Sequence, residues 1–267
     1  MNSIERMRPL AAASDRKNAV CQRSDLQSRI KDLRPMEPDR IADLLEPFLA
    51  SSMHSFEPCH SEARSAGESV LTVTQLRNIS TYIDILRRWN ARINLTAIRD
   101  EEEIVTRHFG ESLFAARHLF PPCSSVPSGV DGSKVADVGS GAGFPGIPIK
   151  LWAPEISLTL IESNQKKATF LKEITRALTL TNVNIQTARA ESLAGVSFDV
   201  VTFRAVERFE SILPVAANLV APGGRLALLI GETQLPQAQS ALPALSWSDP
   251  IAIPASQSRV LAIACKR

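Results

Sequence analysis

Cysteine is scarce in this 267-residue chain, and the four present (Cys21, Cys59, Cys123 and Cys265) are scattered, with no C-x-x-C pair and no histidine at ligand spacing. That pattern excludes a disulfide framework and a structural zinc site, so no metal is expected, and it points to a reducing compartment. No apolar run approaches the ~20 residues that cross a bilayer. The first residues hold no signal-peptide core, so a cytoplasmic protein with no membrane partner is expected. Charge of one sign is lacking too. The formal net charge of +2 is too mild to drive nucleic-acid binding in bulk, so any basic surface must be local. Apolar content, at 44%, is ordinary for a globular protein and suffices for one large domain or a domain with a helical appendage.

Residues 1–40 mix Arg and Lys with acidic residues without periodicity and read as a disordered or weakly helical extension. Met36 and Met53 offer later starts for translation. Residues 41–70 read as a short amphipathic helix, Ile41 to Ala50, followed by a Ser-rich linker over 51–67. A helical cap is expected over 71–120. Its first helix begins at Thr72, with Thr74 as the cap, and carries Leu76, Ile79, Ile83 and Leu86 at steps of three and four, a stripe widened by Tyr82, Ile85 and Trp89. The second opens after Asp100 with three glutamates in its first turn, where the helix dipole favours anions. A Pro/Ser/Gly-rich stretch over 121–133 marks the boundary to a domain at 134–267, where strands and helices alternate. Strands are expected at 134–138, 156–161, 183–187, 198–203, 225–230 and 259–264, with Pro222-Gly223-Gly224 as a turn before the fifth and the last antiparallel to its neighbours. The fold class is α/β: a Rossmann-like, mostly parallel sheet with an N-terminal helical cap.

Val135 to Gly146 is the most informative stretch, an apolar strand running into a glycine-dense turn and a proline-started helix. Glycines at 139, 141 and 143 admit positive φ and let a ligand approach the main chain, and the helix opening near Pro145 should present free N–H groups. Asp137 falls at the carboxyl end of the strand, where doubly wound sheets place ligands. The dinucleotide spacing G-x-G-x-x-G is absent, because Phe144 stands where its third glycine belongs. The G-x-G-x-G that is present crowds the turn against a pyrophosphate and offers Phe144 to an uncharged part of the ligand. Glu162 ends the next strand, where one carboxylate can take both hydroxyls of a ribose. With no phosphate-binding lysine in the turn, S-adenosylmethionine fits this site better than NAD or ATP.

The run at 137–148 (Asp-Val-Gly-Ser-Gly-Ala-Gly-Phe-Pro-Gly-Ile-Pro) stands with Lys-Lys-Ala-Thr-Phe-Leu at 166–171, Ala-Arg-Ala-Glu at 188–191, Phe-Asp-Val-Val-Thr-Phe-Arg-Ala at 198–205 and Pro-Gly-Gly-Arg at 222–225. Together with Trp89 to Thr96 and Arg107-His108 upstream, it resembles the small-subunit ribosomal RNA guanine-N7 methyltransferase family, also called glucose-inhibited division protein B. The likeness runs from about Leu71 to the end. It implies a class I methyltransferase fold that moves a methyl group from S-adenosyl-L-methionine to N7 of a guanine in 16S rRNA, near the decoding site, with 16S rRNA or the small ribosomal subunit as partner and a monomeric enzyme. By matching motifs, Gly139, Gly141 and Phe144 line the methionine and ribose side, Glu162 holds the ribose, Ala190 and Glu191 meet the adenine, and Arg204 forms the far wall. Departures from the family are Phe203 in place of serine, Glu111 in place of aspartate and Ile230 in place of lysine.

Guanine N7 is an exposed lone pair with no proton to remove, so the reaction needs alignment rather than a general base, and no catalytic residue is assigned. No cysteine lies in a catalytic-looking motif, which counts against C5-pyrimidine methylation. No Asn-Pro-Pro-Tyr-like run is present, as an amino-methylating enzyme would have. Arg204 fits either the cofactor or guanine, or a salt bridge to Glu207 or Glu191. His108, Trp89 and Tyr82 read as core, and Asn94 as a turn cap. Candidates for RNA contact are Arg92, Arg107, Lys166 and Arg189, within a wider group of arginines near the cap. Two rival readings are a small-molecule S-adenosylmethionine-dependent methyltransferase, active without RNA, and a non-catalytic cofactor- or RNA-binding protein.

Overall fold

A computed structural model describes residues 35–50, 70–121, 132–193, 195–204 and 209–267. Of the extension expected over 1–40, residues 1–34 lie outside the described residues, as do the linker over 51–67, most of the 121–133 boundary and Glu207; residues 38–40 already belong to the first helix, because Pro38 is preset for a first helical position.

The first strand, β1 (Lys134–Val138), is buried from its second residue onward, as a central parallel strand must be when helices cover both faces. It pairs in parallel with β2 (Ser157–Ile161) on one side and β4 (Phe198–Arg204) on the other. β3 (Val183–Gln186) adds beyond β2, and β5 (Val220–Gly231) beyond β4. β8 (Arg259–Lys266) runs antiparallel between β5 and β6 (Leu245–Trp247), while β7 (Ile251–Ala252) also pairs with β8. The order β3-β2-β1-β4-β5-β8-β6 reverses direction between β1 and β4. In such sheets the ligand crevice opens at the carboxyl ends of the strands flanking that reversal.

Pro222, Gly223 and Gly224 lie inside β5, not in a turn before it. Gly223 takes φ +76 and the β4–β5 register shifts between Phe198 and Val200, so the ladder absorbs these residues as an irregularity and continues. β6, β7 and a seven-residue helix at Leu235–Ala241 were not anticipated; segments this short hold too few positions to display a period.

Helix α1 (Pro38–Leu49) opens on proline and buries Ile41, Leu45, Phe48 and Leu49. Helix α2 (Val73–Asn90) is capped by Thr72 rather than Thr74. Gln75, three residues on, makes Thr72 the reciprocal partner: Gln75 N–H donates to Thr72 Oγ1 at 3.2 Å, and Thr72 N–H donates to Gln75 Oε1 at 2.8 Å. Asp100 caps α3 (Glu101–Glu103), accepting from Glu103 N–H at 2.8 Å. The helix widens into a π-helical segment, Ile104–Gly110, before returning to α4 (Glu111–Leu119). A Cβ on Gly110 would stand 2.6 Å from the Phe48 ring, so glycine there lets α1 lie against the π segment.

Cap and sheet share one apolar core. Ile79, Tyr82 and Ile83 of α2 belong to the same cluster as Phe144, Ile147 and Phe170, and residues Met36–Arg267 form one compact unit. The second cluster, with Val201, Phe203, Leu213 and Leu228, fills the opposite face. Ile230 and Phe203 both lie there, at 2% and 0% exposure, so these two departures change core packing. Among the described residues no helix is long and apolar enough to cross a membrane.

Deleting residues 1–35 is expected to leave the thermal midpoint unchanged. Deleting 1–52 removes α1 and its four buried side chains, each worth roughly 1.5–3 kcal/mol, a sum comparable to a domain's whole stability. A thermal scan of the two truncations should show a cooperative transition for the first and none for the second.

Candidate active site

Three glycines turn the chain out of β1 with positive φ: Gly139 at +68, Gly141 at +56 and Gly143 at +87. The N–H groups of this turn are largely consumed within the protein. Those of Gly139 and Ser140 donate to Ile161 O, that of Gly143 to Ser140 O, and that of Ile147 to Gly143 O. Gly146 N–H donates to Asp137 Oδ2 at 3.2 Å. The start of helix α5 (Gly146–Trp152) therefore does not offer the free N–H groups expected of it. An anion has little to bind here, which suits a ligand whose reactive end is a sulfonium better than a pyrophosphate.

Asp137 is fully buried beneath the turn and does not line the cavity. Its carboxyl group takes the Gly146 N–H on one oxygen and the Thr202 hydroxyl, at 3.3 Å, on the other. Desolvation pushes its pKa up to about 7, against the lowering by these hydrogen bonds. It is a structural brace, not the ligand contact that its place at the strand end suggested.

Glu162, 7% exposed, follows β2 and faces the turn. Its Oε2 accepts from Gly141 N–H at 2.9 Å and its Oε1 from Asn164 N–H at 2.7 Å. A carboxylate has about four acceptor positions, so each oxygen keeps capacity for a hydroxyl while its orientation is fixed. Asn164 in turn caps α6 (Gln165–Ala177) by accepting from Lys166 and Lys167 N–H.

Phe144 is held in a ring stack. Tyr82 lies nearly parallel to it at 5.3 Å and His108 at 4.7 Å, with Phe109 edge-on at 5.1 Å. At 7% exposure the ring borders the cavity with most of its area covered by protein. The Tyr82 hydroxyl donates to Ala142 O at 2.5 Å, which ties the cap to the glycine turn.

His108 lines the cavity, so the core reading of it from sequence was incomplete. Its Nδ1 lies 2.6 Å from Arg204 Nη2 and its Nε2 lies 2.7 Å from Thr96 Oγ1. A guanidinium only donates, so Nδ1 accepts and Nε2 carries the proton toward Thr96. Burial, followed by the nearby arginines, lowers the His108 pKa to about 3. With both nitrogens engaged, this imidazole is a neutral strut rather than a base. Thr96 is itself positioned by Asn90, whose Oδ1 accepts from Leu95 and Thr96 N–H and whose Nδ2 donates to Thr96 O at 2.9 Å.

Arg204, at the end of β4, approaches Glu111 Oε2 at 3.8 Å. Among the described residues its acidic partner is therefore Glu111, 1% exposed, and not Glu191. Glu111 also takes Arg107 Nε at 3.1 Å and Arg259 Nε at 3.1 Å. Desolvation brings the Arg204 pKa down to about 10, still protonated at neutral pH.

A cavity of about 610 Å³ lies over the strand ends and is lined by Gly139, Gly141, Phe144, Glu162, Ala190, Glu191 and Arg204, with Arg189 and Lys167 beside them and Leu95, Thr96 and His108 from the cap. Of the four RNA candidates, Arg189 alone borders it. Arg92 and Lys166 are exposed elsewhere, and Arg107 is engaged with Glu111 and Glu103. Sequence reasoning missed Glu111, Arg259, Asn90 and Thr96 as parts of the site. Only the i,i+4 spacing of Arg107 and Glu111 was a usable signal; Arg204 and Arg259 converge on Glu111 from distant strands. Among the described residues, no three His, Cys, Asp or Glu side chains are grouped to hold a metal.

The volume suits a nucleoside-sized cofactor, and the fit rests on the neutral glycine turn and the half-satisfied Glu162. The solved structure of magnesium protoporphyrin IX methyltransferase from Synechocystis PCC 6803 with bound SAM superposes with a TM-score of 0.53 at 14% identity, over 77% of this chain and 100% of that one. The shared architecture is the class I methyltransferase fold. Two curated relatives are each named ribosomal RNA small subunit methyltransferase G. That of Halorhodospira halophila is 39% identical over 73% of this chain and 90% of its own; that of Roseiflexus castenholzii is 38% identical over 72% and 83%. The protein is an S-adenosylmethionine-dependent methyltransferase. The GidB family model, described as rRNA small subunit methyltransferase G, matches residues 75–253, and the chain belongs to that family.

Proposed function

We propose that the protein transfers the methyl group of S-adenosylmethionine to N7 of a guanine in 16S rRNA near the decoding site, acting in the cytoplasm as a monomer and without a metal. The observation that carries this reading is the cavity itself: a neutral glycine turn opposite Glu162, closed on one side by the His108–Arg204 pair and bordered by Arg189. When bound, S-adenosylmethionine supplies an electrophilic methyl group. The chain's own part is positional. Glu162 holds the ribose hydroxyls on the acceptor capacity left by Gly141 and Asn164, Ala190 and Glu191 flank the adenine, and the Phe144 stack keeps the turn from shifting.

Because N7 brings its own lone pair, no residue has to remove a proton, and a His108 with both nitrogens committed agrees with that. Alignment of nucleophile, methyl carbon and sulfur carries the rate. In this reading residues 134–267 hold the cofactor and the cap over 71–120 meets the RNA, with Arg92, Lys166 and Arg189 as exposed contacts.

Glu162→Ala is expected to weaken S-adenosylmethionine binding by roughly 10–100-fold, as loss of a charged hydrogen-bonding partner does. Calorimetry checks this, and unchanged affinity would remove Glu162 from the site. The function itself is tested by incubating the protein and cofactor with 16S rRNA from a deletion strain and mapping modified guanines by mass spectrometry. One N7-methylguanine near the decoding site is the expected product.

A further inference from the structure

Three arginines from separate parts of the chain meet at a single buried carboxylate beside the cavity. Glu111, on α4, has Arg107 Nε at 3.1 Å on one oxygen, and Arg259 Nε at 3.1 Å and Arg204 Nε at 3.8 Å on the other. Among the described residues the only other acid within ion-pair reach of the group is Glu103, which is half-exposed and 3.8 Å from Arg107 Nη1; the buried Asp137 carboxyl acts on Arg204 from farther off. Among the described residues three cations thus have one buried anion and one solvated one within ion-pair reach. The contacts are also incompletely made. Arg259 Nε and Glu111 Oε2 are both buried, and neither has an aligned hydrogen bond. Buried charged groups without aligned partners are costly, and three guanidiniums on one buried carboxylate crowd like charge at this point.

We propose that Arg107, Arg204 and Arg259, gathered on Glu111, form the seat for one phosphate of the RNA strand that carries the target base. The inference rests on the rRNA reading above and deepens it. A phosphodiester fits better than the cofactor's own carboxylate, because Arg107 and Arg259 do not line the cofactor cavity while their side chains stay 40% and 19% exposed. Planar guanidiniums grip phosphate oxygens two at a time. Arg204 is the member shared with the cavity. A phosphate on its neighbours would register the strand so that a base placed against the His108–Arg204 wall lies within reach of the methyl group. Glu111 is then a positioning residue that keeps three like charges together in the absence of RNA.

The test uses the full chain with unmodified 16S rRNA. Arg259→Gln, and separately Arg107→Gln, should weaken RNA binding about 10-fold at ~0.1 M salt and reduce the slope of log affinity against log salt by about one, the signature of one lost phosphate contact. S-adenosylmethionine affinity should stay within about twofold of wild type. Arg259→Lys should keep most of the salt slope, since charge rather than the fork sets it. If Arg259→Gln does not fold, the more exposed Arg107→Gln carries the test. An unchanged salt slope in both variants overturns the seat, and so does a fall in cofactor affinity that matches the fall in RNA affinity, which would make the anion that these arginines hold the cofactor's carboxylate. A wild-type protein that binds S-adenosylmethionine but neither binds nor methylates the RNA removes the rRNA reading instead, and the seat with it.

Discussion

Gly143→Ala should abolish detectable S-adenosylmethionine binding and lower the thermal midpoint by roughly 10 °C. The residue sits at φ +87, a conformation that costs an L-residue about 1–2 kcal/mol. The added Cβ would also stand against the Tyr82 hydroxyl and 2.6 Å from Ile147 Cδ1. Neither neighbour can retreat: Tyr82 is fully buried among Phe109, Phe144 and Phe170, and Ile147 is fully buried too. Pushing Tyr82 away breaks its hydrogen bond to Ala142 O, worth a further roughly 1–3 kcal/mol when buried. Together these come to about 3 kcal/mol, and each kcal/mol moves the midpoint of a domain this size by about 2–4 °C. The damage spreads to the site because Tyr82 stacks on Phe144 and Phe144 on His108. Calorimetry and a thermal scan check both parts, and near-native cofactor affinity would show that the turn tolerates a side chain and does not form the floor of the site.

Arg204→Ala is expected to reduce methyl transfer by roughly 10²–10³-fold, the effect of losing one preorganised charged donor at a reacting centre, while the protein stays folded. The fold should survive because Glu111 keeps Arg107 and Arg259 after the change, and one like charge leaves a crowded group. The loss falls on function because Arg204 is the only member of the group that lines the cavity, and its Nη2 holds His108 Nδ1. Arg204→Lys should rescue little, since a single ammonium cannot serve His108 and Glu111 from one planar fork. Single-turnover rates with circular dichroism distinguish the outcomes. Near-normal turnover would make Arg204 a structural partner of Glu111 and nothing more.

The glycine turn and the parallel strands were legible from sequence because their causes are local. Val-Ala-Asp-Val at 135–138 followed by Gly139, Gly141 and Gly143 dictates a buried strand and a turn with positive φ, and both are present. The use of that turn was less legible. Asp137 and the first N–H groups of α5 looked like ligand contacts, yet they are used up inside the protein: Gly146 N–H donates to Asp137, because a fully buried carboxylate takes the nearest donor, and Ile147 N–H donates to Gly143 O. Glu162 reads as a ribose clamp from its place after β2, and only the structure shows that two backbone N–H groups orient it first. Glu111 was hardest to foresee. Its partners at 107, 204 and 259 come from a π-helical segment and two strands, and no linear pattern records their convergence. His108 is the buried, satisfied residue that its lone place beside apolar neighbours suggests; what the sequence does not show is that this ring also borders the cavity, because Thr96 and Arg204, which hold it, come from distant parts of the chain.

The most direct measurement is equilibrium dialysis of the full chain against S-adenosylmethionine labelled in its methyl group, followed by a chase with 16S rRNA lacking the modification. Uptake of one equivalent, and transfer of the label to N7 of a single guanine, is the predicted result. Protein that retains no label, or that passes it to any other atom, would contradict the account.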